Sequence, residues 1–571
     1  VAAPRRERRL VLLVCAALYL GAAIWFWWNQ LLPGDAMSRV ANGYYVLYSR
    51  DPHLAAIGFV WNPLPSLILM PFLPLAHLFP ALTQQGLLAV LMSAALMTAT
   101  VGVAHDVLLR TGLRRAPRLA LTAALALHPM TLLYAGNGMS EACFLLCLML
   151  AVRYFHMWLT SGRVEMLVPL GLALALGYGA RYEALAPAAA VTVVVGLVTY
   201  FRTSSSRTSS LRLPPLPAPS DRARRWSLAR TDAVLVGLPP FLAFVLWAVA
   251  GKIIVGQWFA TFSSVYGNST QVSTNNTYIT SMTGDNLPAR VVYWLQQLIG
   301  LSPLALVLVV IALILAWRRH DPRILAPVTV LGAVLAFDAL AFLSGTSFGW
   351  LRFNITVIPL AVLAAAHLLT WSPTPARSTA PGSAATASAG PVSAPPPSVV
   401  PGSATVAAGS VARRRALAAM AILGAFVAIP STITVLSHPE LAREESEWVT
   451  PSGAERRQNL ARVDAQVAAD LDVMKLPDGA VITDAAYAFG VVLASTNPRQ
   501  FIITPDRDFQ AAVSDPSGHH VQYLLLSAEG SADAVRTARY GPDKSAVPTT
   551  GVRTWHDPAG GLQWTLVPVV P

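Results

Sequence analysis

The stretch Pro33 to Pro65, PGDAMSRVANGYYVLYSRDPHLAAIGFVWNPLP, follows the first long apolar run and gathers Asp35, Arg39, Arg50, Asp51 and His53. Charged groups beside hydrocarbon are costly, so such a cluster is a functional hypothesis by default. A carboxylate at that boundary is suited to act as a general base toward a hydroxyl. A guanidinium presents a fixed fork of donors to phosphate. Asp35 reads two ways. It is either the N-cap of a helix beginning at Ala36 or a base, and the roles are compatible. Arg50 suits a phosphate or a lipid headgroup, and Arg39 lies in the same charged set. Asp51 and His53 suit polar contact with a sugar, although Asp51-Pro52 also starts a turn.

Further charged positions lie at the ends of later apolar runs. Asn137, Gly138, Met139 and Ser140 lead into Glu141. An acid at a helix N-terminus is favoured by the macrodipole. A second carboxylate there also suits sugar hydroxyls, or helps Asp35 hold a divalent cation. The metal assignment stays open at this stage, and no cofactor is otherwise indicated. Arg181, Tyr182 and Glu183 form a charged turn that reads as a buried ion pair or as part of a site. Arg352, in GWLRFN, and Arg181 are both placed to stabilise charge on a departing phosphate. Asp338, inside an apolar run, reads as a buried pair member. Asn268 and Asn275 fit glycosylation sequons.

Other chemistries lack their residues. Cys15, Cys143 and Cys147 all lie in apolar runs, with neither zinc spacing nor a disulfide framework. No GxGxxG, P-loop, HExxH or nucleophile elbow occurs.

The elements that must position these residues are membrane helices. The chain has 571 residues, of which 54% are hydrophobic and 12% charged. Mean hydropathy is +0.52. A soluble domain carries about 25% charged residues. The fold class is therefore a polytopic α-helical membrane protein. The formal net charge of +12 comes from arginines in short loops between apolar runs, which is the positive-inside pattern and not a nucleic-acid surface.

Apolar runs long enough to cross a bilayer number about eleven. They are Leu10–Trp28, Gly86–Val103, Leu119–Tyr134, Ala142–Leu159, Met166–Gly179, Ala184–Tyr200, Ala233–Ala250, Tyr293–Trp317, Ile324–Leu343, Phe353–Trp371 and Leu417–Leu436. With the N-terminus in the cytoplasm, every large arginine cluster falls inside. The stretch from Pro33, GNGMSE, ARYE and WLRFN all fall outside. From Ala36, the spacing Met37, Val40, Tyr44, Leu47 predicts an amphipathic helix on the membrane surface. Trp61–Pro80 is broken by five prolines and is expected to dip into the membrane without crossing.

Phe201–Thr231 and 372–412 read as disordered cytoplasmic segments. The expected units are 1–371, a catalytic membrane region; 372–412, a linker; 413–436, the last span; and 437–571, a small extracytoplasmic α/β domain. That last unit alternates apolar runs (AVITD, FIITP, VQYLLL) with helix-like stretches.

These motifs carry a resemblance. A basic start, one span and a loop with an early acid, then GNGMSE, ARYE and WLRFN…P, resemble the GT-C superfamily of polyprenyl-phosphate-sugar glycosyltransferases. GDAMSR…SRDPHL…WNPLPS is most similar to actinobacterial-type members, related to the dolichyl-phosphate-mannose mannosyltransferase group. The resemblance covers roughly the first two thirds of the chain.

It implies inverting transfer of a sugar from a polyprenyl monophosphate to a glycan, lipid or protein acceptor on the outer face. Mannose and arabinofuranose are the sugars implied. Asp35 matches the first-loop catalytic acid and Glu141 the second external acid. Arg352 is a looser match to the donor-phosphate contacts. Many relatives carry adjacent acids in the first loop, whereas Ala36 follows Asp35 here, which weakens a metal site. The competing class is a membrane transporter or lipid-sugar flippase, which places paired charges near mid-membrane. A non-enzymatic scaffold is a third reading.

Overall fold

The computed structural model describes residues 2–202, 221–263, 271–273, 276–370, 402–528, 533–541, 547–548 and 550–569. Most of both expected disordered segments, and the sequons at Asn268 and Asn275, lie outside these residues. The end of the expected linker is already helical, because the last apolar helix runs Gly402–Leu436. Its leading stretch is rich in alanine, the strongest helix former.

Among the described residues, eight helices are long and apolar enough to cross a membrane: Arg5–Trp28, Leu87–Arg110, Glu141–Ser161, Tyr182–Phe201, Arg222–Val255, Pro322–Leu343, Leu351–Leu369 and Ala418–Leu436. Two further expected spans are bent pairs. Arg115–Ala126 and Pro129–Gly136 meet at 56°, and Leu287–Leu301 and Ala305–Arg319 meet at 82°. Prolines sit at both breaks, Pro129 and Pro303, where the missing N–H interrupts the helical ladder. His128 ties the breaks together. Its Nε2 lies 3.0 Å from the Leu301 carbonyl, and its Nδ1 accepts from the Met130 N–H. The remaining expected span is the shorter apolar helix Val164–Ala180, and the proline-rich segment forms another, Leu64–His77.

The loop helix, Gly34–Tyr48, corrects one expectation. It does not lie on the surface. Ala36, Ser38, Arg39, Val40, Ala41, Asn42, Gly43, Tyr45 and Val46 are all buried. The C-terminal unit covers it, with Ala485–Ala494 packed against it. Small residues permit that approach, and the polar ones are enclosed with it.

The C-terminal unit holds a five-stranded sheet in the order β2-β1-β3-β5-β4. The strands are β1 (Val481–Thr483), β2 (Phe501–Ile503), β3 (Tyr523–Ser527), β4 (Arg553–His556) and β5 (Leu562–Pro568). β1 pairs in parallel with β2 and β3, while β5 runs antiparallel to β3 and β4. The three apolar runs read from sequence form β1, β2 and β3. Both faces of β1 and β2 are buried, as expected for parallel strands. One buried core continues from the bundle into this unit. Trp448, for instance, meets Phe26 and Tyr134 edge-on at 6.2 and 5.9 Å.

Candidate active site

The loop helix begins two residues earlier than expected, at Gly34. Pro33 holds the cap position without a side-chain bond, and Asp35 sits in the first turn. Its carboxylate does not cap the helix, while its backbone carbonyl accepts from Ser38. The carboxylate faces a cavity of about 90 Å³ lined also by Arg39, Trp61, Arg181, Tyr182, Glu183 and Arg352. That is room for about three waters.

The turn before Glu141 is fixed by Gly138, whose φ is +81°. A Cβ there would lie 2.8 Å from the Ala89 Cβ and 3.1 Å from the Ala36 Cβ. Only glycine lets this turn close on the loop helix beside Asp35. Asn137 is fully buried and accepts from the Met139 N–H. It braces the turn and does not line the cavity.

Three arginines organise the charges. The Arg352 Nη1 donates to Glu444 at 2.8 Å and the Nη2 to Asp35 at 3.4 Å. Glu141 lies 3.7 Å from its Nε. The turn carrying Arg352 is stapled by Asn354, which accepts from the Trp294 indole and donates to Gln297. Arg181 bridges Glu141 and Glu183, the latter at 2.5 Å. Its guanidinium carbon lies 5.4 Å from the Phe353 ring centroid.

Arg39 differs from these two. It is only 4% exposed and lies over Trp61 at 4.7 Å. Its Nε and Nη1 have no hydrogen-bond partner among the described residues. Burial presses this guanidinium down to about 10, against the opposing pull of Asp35 and Glu141, so it remains charged at neutral pH. Arg39 also lines the cavity, so a buried cation stands in its wall and suits an anion there.

Tyr182 separates this cavity from a larger one of about 540 Å³, walled by Phe262, Phe337, Asp338 and Ala341.

The structure thus brings together Asp35, Arg39, Glu141, Arg181, Tyr182, Glu183 and Arg352. It does not bring in Arg50, Asp51 or His53. Arg50 donates to Asp506 at 3.2 Å and also to Asp508. Asp51 accepts from the Arg507 N–H at 3.0 Å. The His53 Nδ1 lies 2.7 Å from the Asp51 carbonyl. These residues dock the C-terminal unit. Burial pushes the Asp506 carboxyl up to about 6, with Arg50 pulling the other way.

Two site residues escaped the sequence reading. Glu444 and Glu445 belong to a short neck helix, Arg443–Val449, that follows the last span. Besides the bond from Arg352 to Glu444, Tyr134 donates to Glu445 at 2.8 Å. Burial pushes the Glu444 carboxyl up to about 8, against the pull of Arg352. The available signal was a pair of acids just past a span, followed by Trp448.

The donor set does not favour a metal between Asp35 and Glu141. Both carboxylates face the same arginine, and no three His, Cys, Asp or Glu side chains converge as ligands among the described residues.

No family model matches the chain, and no curated protein does. Solved structures similar to it include ArnT from Cupriavidus metallidurans bound to undecaprenyl phosphate. Identity there is 15% and the TM-score 0.48, over 96% of this chain and 97% of that one. Another is the archaeal oligosaccharyltransferase AglB from Archaeoglobus fulgidus, with an inhibitory peptide and a dolichol-phosphate. It shows 10% identity and a TM-score of 0.40, over 99% of this chain and 74% of that one. A third is an Archaeoglobus fulgidus oligosaccharyltransferase tethered to an acceptor peptide, at 9% identity and TM-score 0.38, over 98% and 74%. All three scores lie below 0.5, so the likeness alone assigns neither family nor activity.

Proposed function

We propose that this protein is a membrane glycosyltransferase that moves a sugar, mannose or arabinofuranose, from a polyprenyl monophosphate to a cell-envelope glycan, lipid or protein on the outer face. The observation that carries the reading is the pairing of Asp35 with Arg39 in one cavity. A carboxylate that can take a proton lies beside a buried guanidinium with unused donors.

In this reaction the acceptor hydroxyl gives its proton to Asp35. Its oxygen attacks the anomeric carbon from the face opposite the phosphate. The bond from that carbon to the phosphate oxygen breaks, and the electron pair leaves with the lipid phosphate. Arg39 and Arg352 hold the added charge, and Arg181 keeps Glu141 and Glu183 in place. Asp35 is engaged by Arg352 at a long 3.4 Å. A donor phosphate that takes this guanidinium frees Asp35 to act as base. The larger cavity beyond Tyr182 has Phe262, Val272, Phe337 and Ala341 in its wall, and that part of it suits the first isoprene units of the lipid. In this reading GNGMSE, ARYE, WLRFN and the C-terminal unit all lie on the outer side.

A flippase would also bind lipid phosphate through these arginines, but it needs no base. Purified protein in liposomes, given polyprenyl phosphate carrying a radiolabelled sugar and envelope glycan as acceptor, separates the two. Label in a new glycosidic bond supports transfer. Label that crosses the bilayer still attached to the lipid rejects it.

A further inference from the structure

A third cavity, of about 510 Å³, lies on the other side of the loop helix. Gly34 and Met37 line it, while Asp35 lines the site cavity. The first turn of one helix is therefore a wall shared by the two. The opposite wall belongs to the C-terminal unit, through Tyr487, Phe489, Gln563 and Trp564.

The open hydrogen-bonding capacity of this groove is neutral. Gln563 is 7% exposed, and its Oε1 has no partner among the described residues. Gln30, Gln84 and Gln85 add three more side-chain amides to the lining. The charged side chains in the wall are engaged. Arg457 donates to Glu447 at 2.6 Å, Asp464 accepts from the Trp564 indole at 2.8 Å, and Asp472 accepts from Ser495 at 2.6 Å.

Each free amide offers donors and an acceptor, which suits hydroxyl groups. Aromatic rings supply apolar faces for the C–H side of a sugar ring. A peptide fits less well. The strand carrying Gln563, β5, is flanked by β3 and β4 and offers no free edge for main-chain pairing.

We propose that this groove binds a neutral saccharide chain and leads its end toward Asp35 as the acceptor. Its role as acceptor site rests on the glycosyl-transfer reading of the adjoining cavity.

The test uses the full-length protein in nanodiscs. The probes are a neutral linear hexose oligomer, a neutral pentofuranose oligomer, an acidic oligosaccharide and a neutral hexapeptide. Titration calorimetry reads affinity, and undecaprenyl phosphate is titrated in parallel. A neutral oligomer is expected to bind. Gln563→Leu should weaken that binding roughly five- to ten-fold, as for one lost hydrogen bond in a desolvated site, and Gln30→Ala, at the exposed rim, roughly two- to five-fold. Affinity for undecaprenyl phosphate should stay unchanged. Gln30 is exposed, so its replacement leaves the core untouched.

Three results overturn the inference: no binding of either neutral oligomer, preferential binding of the peptide or acidic probe, or unchanged binding in both variants. Groove-dependent saccharide binding without any lipid-phosphate binding would support the saccharide site and reject the transfer reading.

Discussion

Replacing Arg39 by methionine separates a phosphate ligand from a structural cation. Arg39 is buried, and its Nε and Nη1 have no hydrogen-bond partner among the described residues. Its removal therefore breaks no bond made by those donors and relieves the cost of enclosing a charge. Methionine keeps much of the length and still packs on Trp61. Folding stability should hold or rise. A donor phosphate would lose one charge-assisted hydrogen bond from the side of Arg39 that lines the cavity. At about 1.5–3 kcal/mol, the loss is roughly 10- to 10²-fold in affinity. Thermophoresis of the nanodisc-embedded protein against undecaprenyl phosphate reads the affinity, and thermal unfolding reads stability. A variant that unfolds several degrees earlier yet binds within two-fold of the parent would refute the reasoning.

Glu444→Gln tests the neck helix. With its carboxyl raised to about 8, Glu444 is largely protonated below that pH and ionised above it. Ionisation strengthens its hold on Arg352 against the donor phosphate. Transfer by the parent should fall as pH rises through 8, and the variant's pH–rate profile should lack that fall. Asp506→Asn tests the docking contact. Its raised value, about 6, means the folded state holds a proton that the unfolded chain releases near 4. This group therefore makes stability fall as pH rises from about 4 to 6. Urea denaturation across that window should show a flatter pH dependence in the variant. Gly138→Ala places a Cβ 2.8 Å from Ala89 at a φ of +81°. Left-handed strain plus overpacking predicts a loss of about 2–5 kcal/mol, read as a lower unfolding temperature.

Much of the arrangement was legible because membrane helices announce themselves locally. Asp35, Glu141, Arg181, Glu183 and Arg352 each sit where an apolar run ends, and in the structure those ends meet. The bends were less legible. Proline at 129 and 303 marks the interruptions, but the contact of His128 with Leu301, which joins the two bends, spans 173 residues of sequence. The loop helix was misplaced for a different reason. Its apolar spacing suits a membrane surface, yet the C-terminal unit covers it. Arg50 was misread in the same way, since its partner Asp506 lies 456 residues away in sequence. Glu444 and Glu445 stand in a stretch of ordinary soluble composition, so only the folded chain shows them reaching Arg352 and Tyr134. The β4–β5 hairpin, too, lacked the continuous apolar run that marked the parallel strands.

The central claim is that Asp35 is the base that activates an acceptor hydroxyl. The direct measurement is the initial rate of sugar transfer from a polyprenyl-phosphate donor by purified Asp35→Asn protein, with donor affinity measured on the same sample. Loss of a general base predicts a rate lower by about 10²- to 10⁴-fold, with the donor still bound. Near-normal transfer by Asp35→Asn would contradict the claim.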